Sequence, residues 1–180
     1  VIFPIINTLA KEGNPYKGAL YAGIMVTNDG PKALEFNARF GDPETQAIMP
    51  RLKSDLVELM ERALDGKLDN YSLEWDPRPC VSVVIASGGY PGDYEKGARI
   101  KGIESAKALK DVVIFHAGTK FGRRSTDGVS VFLTNGGRVL NVTALGATIK
   151  DAIDNCYNAV SKIHFDRMHY RRDIAKKALR

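Results

Sequence analysis

The stretch "ALEFNARFGDPETQA", residues 33 to 47, decides how the chain is read. Leu34, Phe36, Ala38 and Phe40 recur at every second position, the period of a β-strand with one face in a core. The alternate positions Glu35, Asn37 and Arg39 put a carboxylate, an amide and a guanidinium in a row on the opposite face. Same-face neighbours along a strand lie roughly 7 Å apart, so Glu35 and Asn37 can converge on one ion. Oxygen donors of this kind suit Mg²⁺, which takes few protein ligands and keeps positions for phosphate oxygens. Arg39 offers a planar fork to a carboxylate or phosphoryl group. The same residues also read as a solvated strand face with a Glu–Arg pair of little energetic weight.

After the strand, Asp42 is placed to cap a helix, Pro43 suits its first position, and Glu44 complements the positive helix end. Pro50 interrupts that helix. Before the strand, "ALYAGIMV" (19 to 26) alternates as a second strand, and Asn28-Asp29-Gly30 is turn chemistry. The spacing predicts an antiparallel hairpin. A second helix is expected from near Ser54, with Leu56, Val57, Leu59, Met60, Ala63 and Leu64 as its apolar stripe and Gly66 as its stop.

The segment 68 to 79 has no helical period and carries two prolines, which marks a boundary between residues 1–72 and 78–180. Beyond it come short strands and glycine turns: strands at 80–87 and 112–119, and a hairpin over 131–146 around Asn135-Gly136-Gly137. Residues 147–163 predict a helix with Ile149, Ala152, Ile153, Cys156, Ala159, Val160 and Ile163 facing inward. The basic tail, "HYRRDIAKKALR" at its end, reads as a solvated helix terminus. The expected class is α+β, an antiparallel sheet with helices followed by a smaller β-rich α+β domain.

Composition narrows the function classes. Hydrophobic residues make up 44% and charged residues 26% of 180, which suits a packed protein rather than a disordered one. No apolar run reaches the roughly 18 residues of a membrane span. No signal peptide is visible at the start, and the opening Val1 suggests a segment of a longer protein. Cys80 and Cys156 fit no disulfide framework and predict reduced thiols in a cytoplasmic protein. Residues 1–75 hold 8 Lys+Arg against 11 Asp+Glu, and residues 76–180 hold 18 against 10. A basic half of this kind keeps a nucleic-acid-binding module without catalysis as an alternative reading.

Other motifs carry less. "ASGGYPGDYEKG" matches neither phosphate-loop pattern and reads as a tight loop. His116 reads as a satisfied strand histidine, His164 and His169 lack zinc spacing with either cysteine, and no nucleophile triad can be assembled locally.

Taken together, "EGNPYKGALYAGIMVTNDGPKALEFNARFGDPETQ", "SGGYPGDYEKG", "FHAGT", "GGRVLNVTALG" and "YRRDIAKKAL" resemble the phosphoribosylamine–glycine ligase (glycinamide ribonucleotide synthetase) family over nearly the whole chain. The resemblance implies the end of an ATP-grasp region followed by that family's C-terminal domain. It implies an enzyme of purine biosynthesis, in which ATP converts glycine to glycyl phosphate and the amine of 5-phosphoribosylamine displaces phosphate. It further implies that Glu35 and Asn37 bind Mg²⁺ or Mn²⁺, that Arg39 acts at the reacting centre, and that Asp42 and Glu44 lie beside the substrates. Another ATP-grasp carboxylate–amine ligase or carboxylase is the alternative within enzymes. The family's chain is much longer, with the lid, the nucleotide-gripping lysines and most of the phosphoribosylamine site outside these residues, so this segment alone is expected to lack ligase activity. The tail departs from the family, in which a glycine and an arginine stand near Ala175 and Lys177.

Overall fold

The computed structural model describes residues 1–123, 128 and 130–179, and its contacts divide the chain into two compact units. The first comprises residues 1–45 and 52–75, the second residues 46–51 and 76–180.

The first unit opens with α1 (Ile2–Lys11), an amphipathic helix with no buried residue. Strands β1 (Tyr21–Thr27) and β2 (Gly30–Asn37) form the expected antiparallel hairpin around the two-residue turn Asn28–Asp29. Its register is not continuous: Ile24 pairs with Ala33 but Gly23 pairs with Glu35, so Leu34 is an extra residue in a β-bulge. The strand ends at Asn37, and Ala38 and Arg39 form a bend; Arg39 therefore does not extend the polar row as its spacing predicts. Nor is the opposite face in a core. Leu34 is 63% exposed and Phe36 37%, because the hairpin is a two-stranded sheet and both of its faces stay largely open within the chain.

Residues Asp42–Glu44 form a turn, and α2 (Thr45–Ile48) begins only at Thr45, whose amide donates to the Gly41 carbonyl at 3.1 Å. Pro43 is thus a turn residue, not the first helical one. Pro50 lies within a short 3₁₀ turn (Met49–Arg51) that ends the helix. Helix α3 (Leu56–Asp65) is capped by Asp55 rather than begun at Ser54: Asp55 Oδ1 accepts from the amides of Val57 and Glu58 at 2.8 and 3.0 Å. The Ser54 hydroxyl is engaged elsewhere, accepting from the Glu74 amide at 2.7 Å. Gly66 closes α3 in the left-handed conformation, and Lys17 Nζ donates to the Leu64 carbonyl at 2.6 Å, a cation at the negative helix end. The apolar stripe of α3 does not enter a core. Leu56, Leu59, Met60, Ala63 and Leu64 line an open apolar cleft of about 450 Å³ with Gly18, Ala19, Phe40 and Leu68.

The second unit is packed. Strands β3 (Cys80–Ala86), β7 (Arg138–Leu145) and β4 (Val112–His116) make an antiparallel sheet with β7 in the centre. Strands β5 (Thr119–Arg123) and β6 (Ser130–Thr134) form a separate pair. Between β3 and β4 in sequence lies the short helix α4 (Ile103–Lys107), and α5 (Ile149–Val160) follows β7. Helix α5 starts with a capping box in which Thr148 and Asp151 satisfy each other's amides. Its stripe of Ala152, Ile153, Cys156, Ala159 and Val160 is buried as expected, against Val81, Val83, Val142 and Phe165 among others. Cys156 Sγ donates to the Val142 carbonyl, and burial pushes its thiol up to about 12.

The hairpin expected over 131–146 does not form. β6 pairs with β5, whereas β7 pairs with β3 and β4. Residues 135–137 instead bond to distant backbone: Ser87 N donates to the Gly137 carbonyl at 2.8 Å and Asn135 N to that of Gly118 at 2.7 Å. A Cβ on Gly118 would stand 2.6 Å from the Gly136 Cα, so the glycines serve a backbone crossing rather than a turn. The basic tail is also no helix end. The residues leading into it are tied by the ladder bond between Lys101 and His164 and bury Phe165; the tail itself is tied by the one between Ala86 and His169 and finishes in a 3₁₀ turn (Lys176–Leu179), with Arg180 outside the described residues.

Candidate active-site hairpin

Antiparallel partners share a face, and the bulge decides which residues do so. With Leu34 as the extra residue, Tyr21 stands opposite Asn37 and Gly23 opposite Glu35, on one face of the hairpin. Asn37 Nδ2 donates to Glu35 Oε1 at 3.1 Å, so the carboxylate and the amide do converge. Gly23 makes room for them: a Cβ there would stand 3.0 Å from Glu35 Cγ, tighter than ordinary van der Waals contact. Arg39 lies beyond the strand, and its Nη1 donates to the Phe40 carbonyl at 2.9 Å.

The turn after β2 folds back to this face. Tyr21 Oη donates to Glu44 Oε1 at 3.2 Å. The other Glu44 oxygen, Oε2, lies over Gly41, the one buried residue among 1–75, where a Cβ would fall on it. The Tyr21 hydroxyl is held above its ordinary value of 10.0, first by loss of solvent, then by the charge and hydrogen bond of Glu44, and last by the charge of Glu35. Tyr21 therefore stays protonated and donates in the field of two carboxylates. Three of the expected residues, Glu35, Asn37 and Glu44, are gathered around it, while Arg39 is turned to its own backbone neighbour. Sequence spacing missed Tyr21, because an unbulged hairpin would set it opposite Phe36 on the other face.

The donor types of Glu35 and Asn37, a carboxylate and an amide oxygen, suit a hard divalent cation, with the Asn37 amide turning over from the Nδ2 contact so that Oδ1 joins Glu35. Among the described residues no group of three or more His, Cys, Asp or Glu side chains could hold a metal. The pair therefore offers part of a coordination sphere, as in sites that Mg²⁺ shares with phosphate oxygens.

Comparison with known proteins gives the family. A family model for the C domain of phosphoribosylglycinamide synthetase matches residues 80–177, and one for the ATP-grasp (A) domain of the same enzyme matches residues 1–45. The chain belongs to the phosphoribosylglycinamide synthetase family. It is 50% identical over 175 residues to phosphoribosylamine–glycine ligase of Caldanaerobacter subterraneus, covering 97% of this chain and 40% of that protein. Against the ligase of Vibrio cholerae it is 51% identical over 180 residues, covering 99% and 40%. The crystal structure of phosphoribosylamine–glycine ligase from Thermotoga maritima superimposes with a TM-score of 0.72 at 35% identity, over 92% of this chain and 39% of that one. N5-carboxyaminoimidazole ribonucleotide synthetase from the same organism shares the fold, with a TM-score of 0.57 at 16% identity over 91% of this chain and 41% of that one. The chain thus spans about 40% of the length of the curated relatives it matches.

Within the synthetase family's C domain, the remaining motifs have structural explanations. In "ASGGYPGDYEKG", a Cβ on Gly88 would stand 2.5 Å from the Arg167 carbonyl oxygen, so close backbone packing requires a glycine there. His116 Nδ1 lies 2.9 Å from Thr119 Oγ1, and its ring stacks on Phe132 with centroids 4.5 Å apart. No helix among the described residues is long and apolar enough to cross a membrane.

Proposed function

We propose that the chain works as the C-terminal portion of an ATP-dependent ligase that joins glycine to 5-phosphoribosylamine through glycyl phosphate. On this reading residues 1–72 end the ATP-grasp domain, residues 78–180 are the C-terminal domain, and the enzyme serves purine biosynthesis in the cytoplasm. The observation that carries it is the convergence of Glu35, Asn37 and Glu44 on one face of a bulged hairpin, in a chain half identical to ligases of this activity.

The chemistry explains why such a face is needed. Phosphoryl transfer to a carboxylate brings anions together, and the charge that develops must be offset where water is excluded. Glu35 and Asn37 would hold Mg²⁺ or Mn²⁺, which supplies the positive charge between ATP phosphates. Arg39, on the bend just past the strand, would exchange the Phe40 carbonyl for the acyl phosphate and hold it through its fork. Asp42 and Glu44, in the turn, face the amine and carboxylate ends of the substrates. The open faces of the hairpin and the α3 cleft are surfaces for the rest of the longer chain, which also brings the groups that grip the nucleotide.

The test is ADP formation dependent on both glycine and phosphoribosylamine in the full-length ligase, with Glu35→Gln. A loss of about 100-fold or more is expected, the scale of removing one preorganised electrostatic partner. Turnover within a few-fold of wild type overturns the metal assignment. The 180-residue chain alone is expected to form no ADP; a normal rate from it overturns the claim that the rest of the protein is required.

A further inference from the structure

Glu44 is the last residue of the Asp42–Glu44 turn, and a side chain there ordinarily samples several rotamers in water. Here each of its oxygens is accounted for. Oε1 accepts the Tyr21 hydroxyl at 3.2 Å, and Oε2 lies over the bare Cα of Gly41. Tyr21 is itself fixed by the ladder, opposite Asn37, and so belongs to the same face as the Glu35–Asn37 pair. Gly41 has no positive φ, so its backbone does not call for glycine; the space above it does.

We propose that Tyr21 and Gly41 are positioning residues that fix the Glu44 carboxylate beside the Glu35–Asn37 pair, where it receives the ammonium group of the amino-acid substrate. This rests on the ligase reading above. Neither residue touches substrate. Tyr21 orients one oxygen by a hydrogen bond, and Gly41 leaves the other a seat that any Cβ would close. An ammonium matches the site chemically, because a carboxylate whose partner is a neutral phenol keeps its full charge for a cation. The Glu35–Asn37 pair, one turn of chain away, is left for the metal.

The experiment has two parts. In the full-length ligase without substrate, the Tyr21 Cζ resonance is followed by NMR in wild type, Glu44→Gln and Gly41→Ala. It is expected to move in both variants and would stay put if the carboxylate were not held as described. In the full-length ligase, Tyr21→Phe and Gly41→Ala are expected to raise the KM for glycine about tenfold, the scale of one hydrogen bond to a charged group. The kcat and the metal concentration for half-saturation should stay within about threefold. The double variant Y21F/E44Q should be no worse than E44Q, since Tyr21 acts only through Glu44. An unchanged KM for glycine, or a double variant whose loss is the product of the two single losses, overturns the proposal. Should Tyr21→Phe fail to fold, Gly41→Ala moves the same carboxylate by displacing only a flexible side-chain end. A wild type whose ADP formation ignores glycine would overturn the ligase reading instead, and the NMR result would stand apart from it.

Discussion

The two units use the same materials differently. In residues 1–75 no hydrophobic side chain is buried, and Leu34, Val57 and Phe3 are well exposed. In the second unit Val83, Ile85, Leu140, Val142, Cys156 and Phe165 are sealed between one sheet and α5. Yet the first unit carries the acidic face that reads as chemistry, whereas the second carries mostly packing. A two-stranded hairpin is marginal by itself in water, since it has no layer against which to bury apolar area. The first unit is therefore organised locally, by caps, a bulge and glycine seats, and the second by a cooperative core. Local devices suffice to aim side chains; they do not suffice to make a stable domain.

The largest way to break that contrast is a matched pair of truncations. Phe165, 1% exposed, anchors the tail in the core, and Phe165→Ala is expected to cost about 3–5 kcal/mol in urea unfolding. Phe36→Ala, at 37% exposure, should change the same transition by less than about 1 kcal/mol. Amide exchange across β7 reads the second unit, and Trp75, the single tryptophan, reads the first by fluorescence. Equal costs for the two substitutions would mean that the first unit has a hidden core and that the contrast is false.

A smaller effect sharpens it, because both units hold a well-made helix cap. Thr148 caps α5, whose stripe is buried; Asp55 caps α3, whose stripe lines an open cleft. Thr148→Ala should lower the unfolding free energy of the second unit by about 1 kcal/mol. Asp55→Ala should leave that transition in place and show itself only as faster amide exchange within α3. A shift of the main transition by Asp55→Ala would show that α3 shares the core's cooperativity.

The parts legible in the sequence were those where local period and packing agree. The stripe of α5 and the strand at 80–86 were read correctly because alternation or helical spacing coincides with burial in a real core. Residues 33–40 show the opposite case. Their alternation is as regular, but regularity of period does not say whether anything covers the apolar face, and here no element of the first unit buries it. The hairpin expected around Asn135–Gly137 failed for a different reason: Ser87 and Gly118, distant in sequence, take the hydrogen bonds that a tight turn would have kept. At the candidate site, Glu35 and Asn37 were legible from spacing two apart. Tyr21 was not, since one bulged residue, Leu34, moves it from one face to the other, and no periodicity announces a bulge.

The smallest effect is in pH, and it too separates the units, because all three histidines lie beyond residue 75. His116 is packed on Phe132 beside Thr119, and its imidazole is held below the ordinary 6.5, first by burial and then by the charge of Lys107, with Glu104 opposing. In the unfolded chain the ring binds its proton at the ordinary value, so just below pH 6.5 the unfolded state carries more protons than the folded one. Stability contributed by neutral His116 is thus present above pH 6.5 and is lost as pH falls toward the folded value. Exchange protection of β4 and β7 should decline as pH falls below about 6.5 in wild type more steeply than in His116→Gln. Comparison of the two proteins cancels the other titrating groups. The β1–β2 amides, corrected for the intrinsic pH dependence of exchange, should show no such difference. Equal slopes at β7 in the two proteins would mean that the imidazole titrates as freely when folded as when unfolded, and that the core does not reach as far as His116.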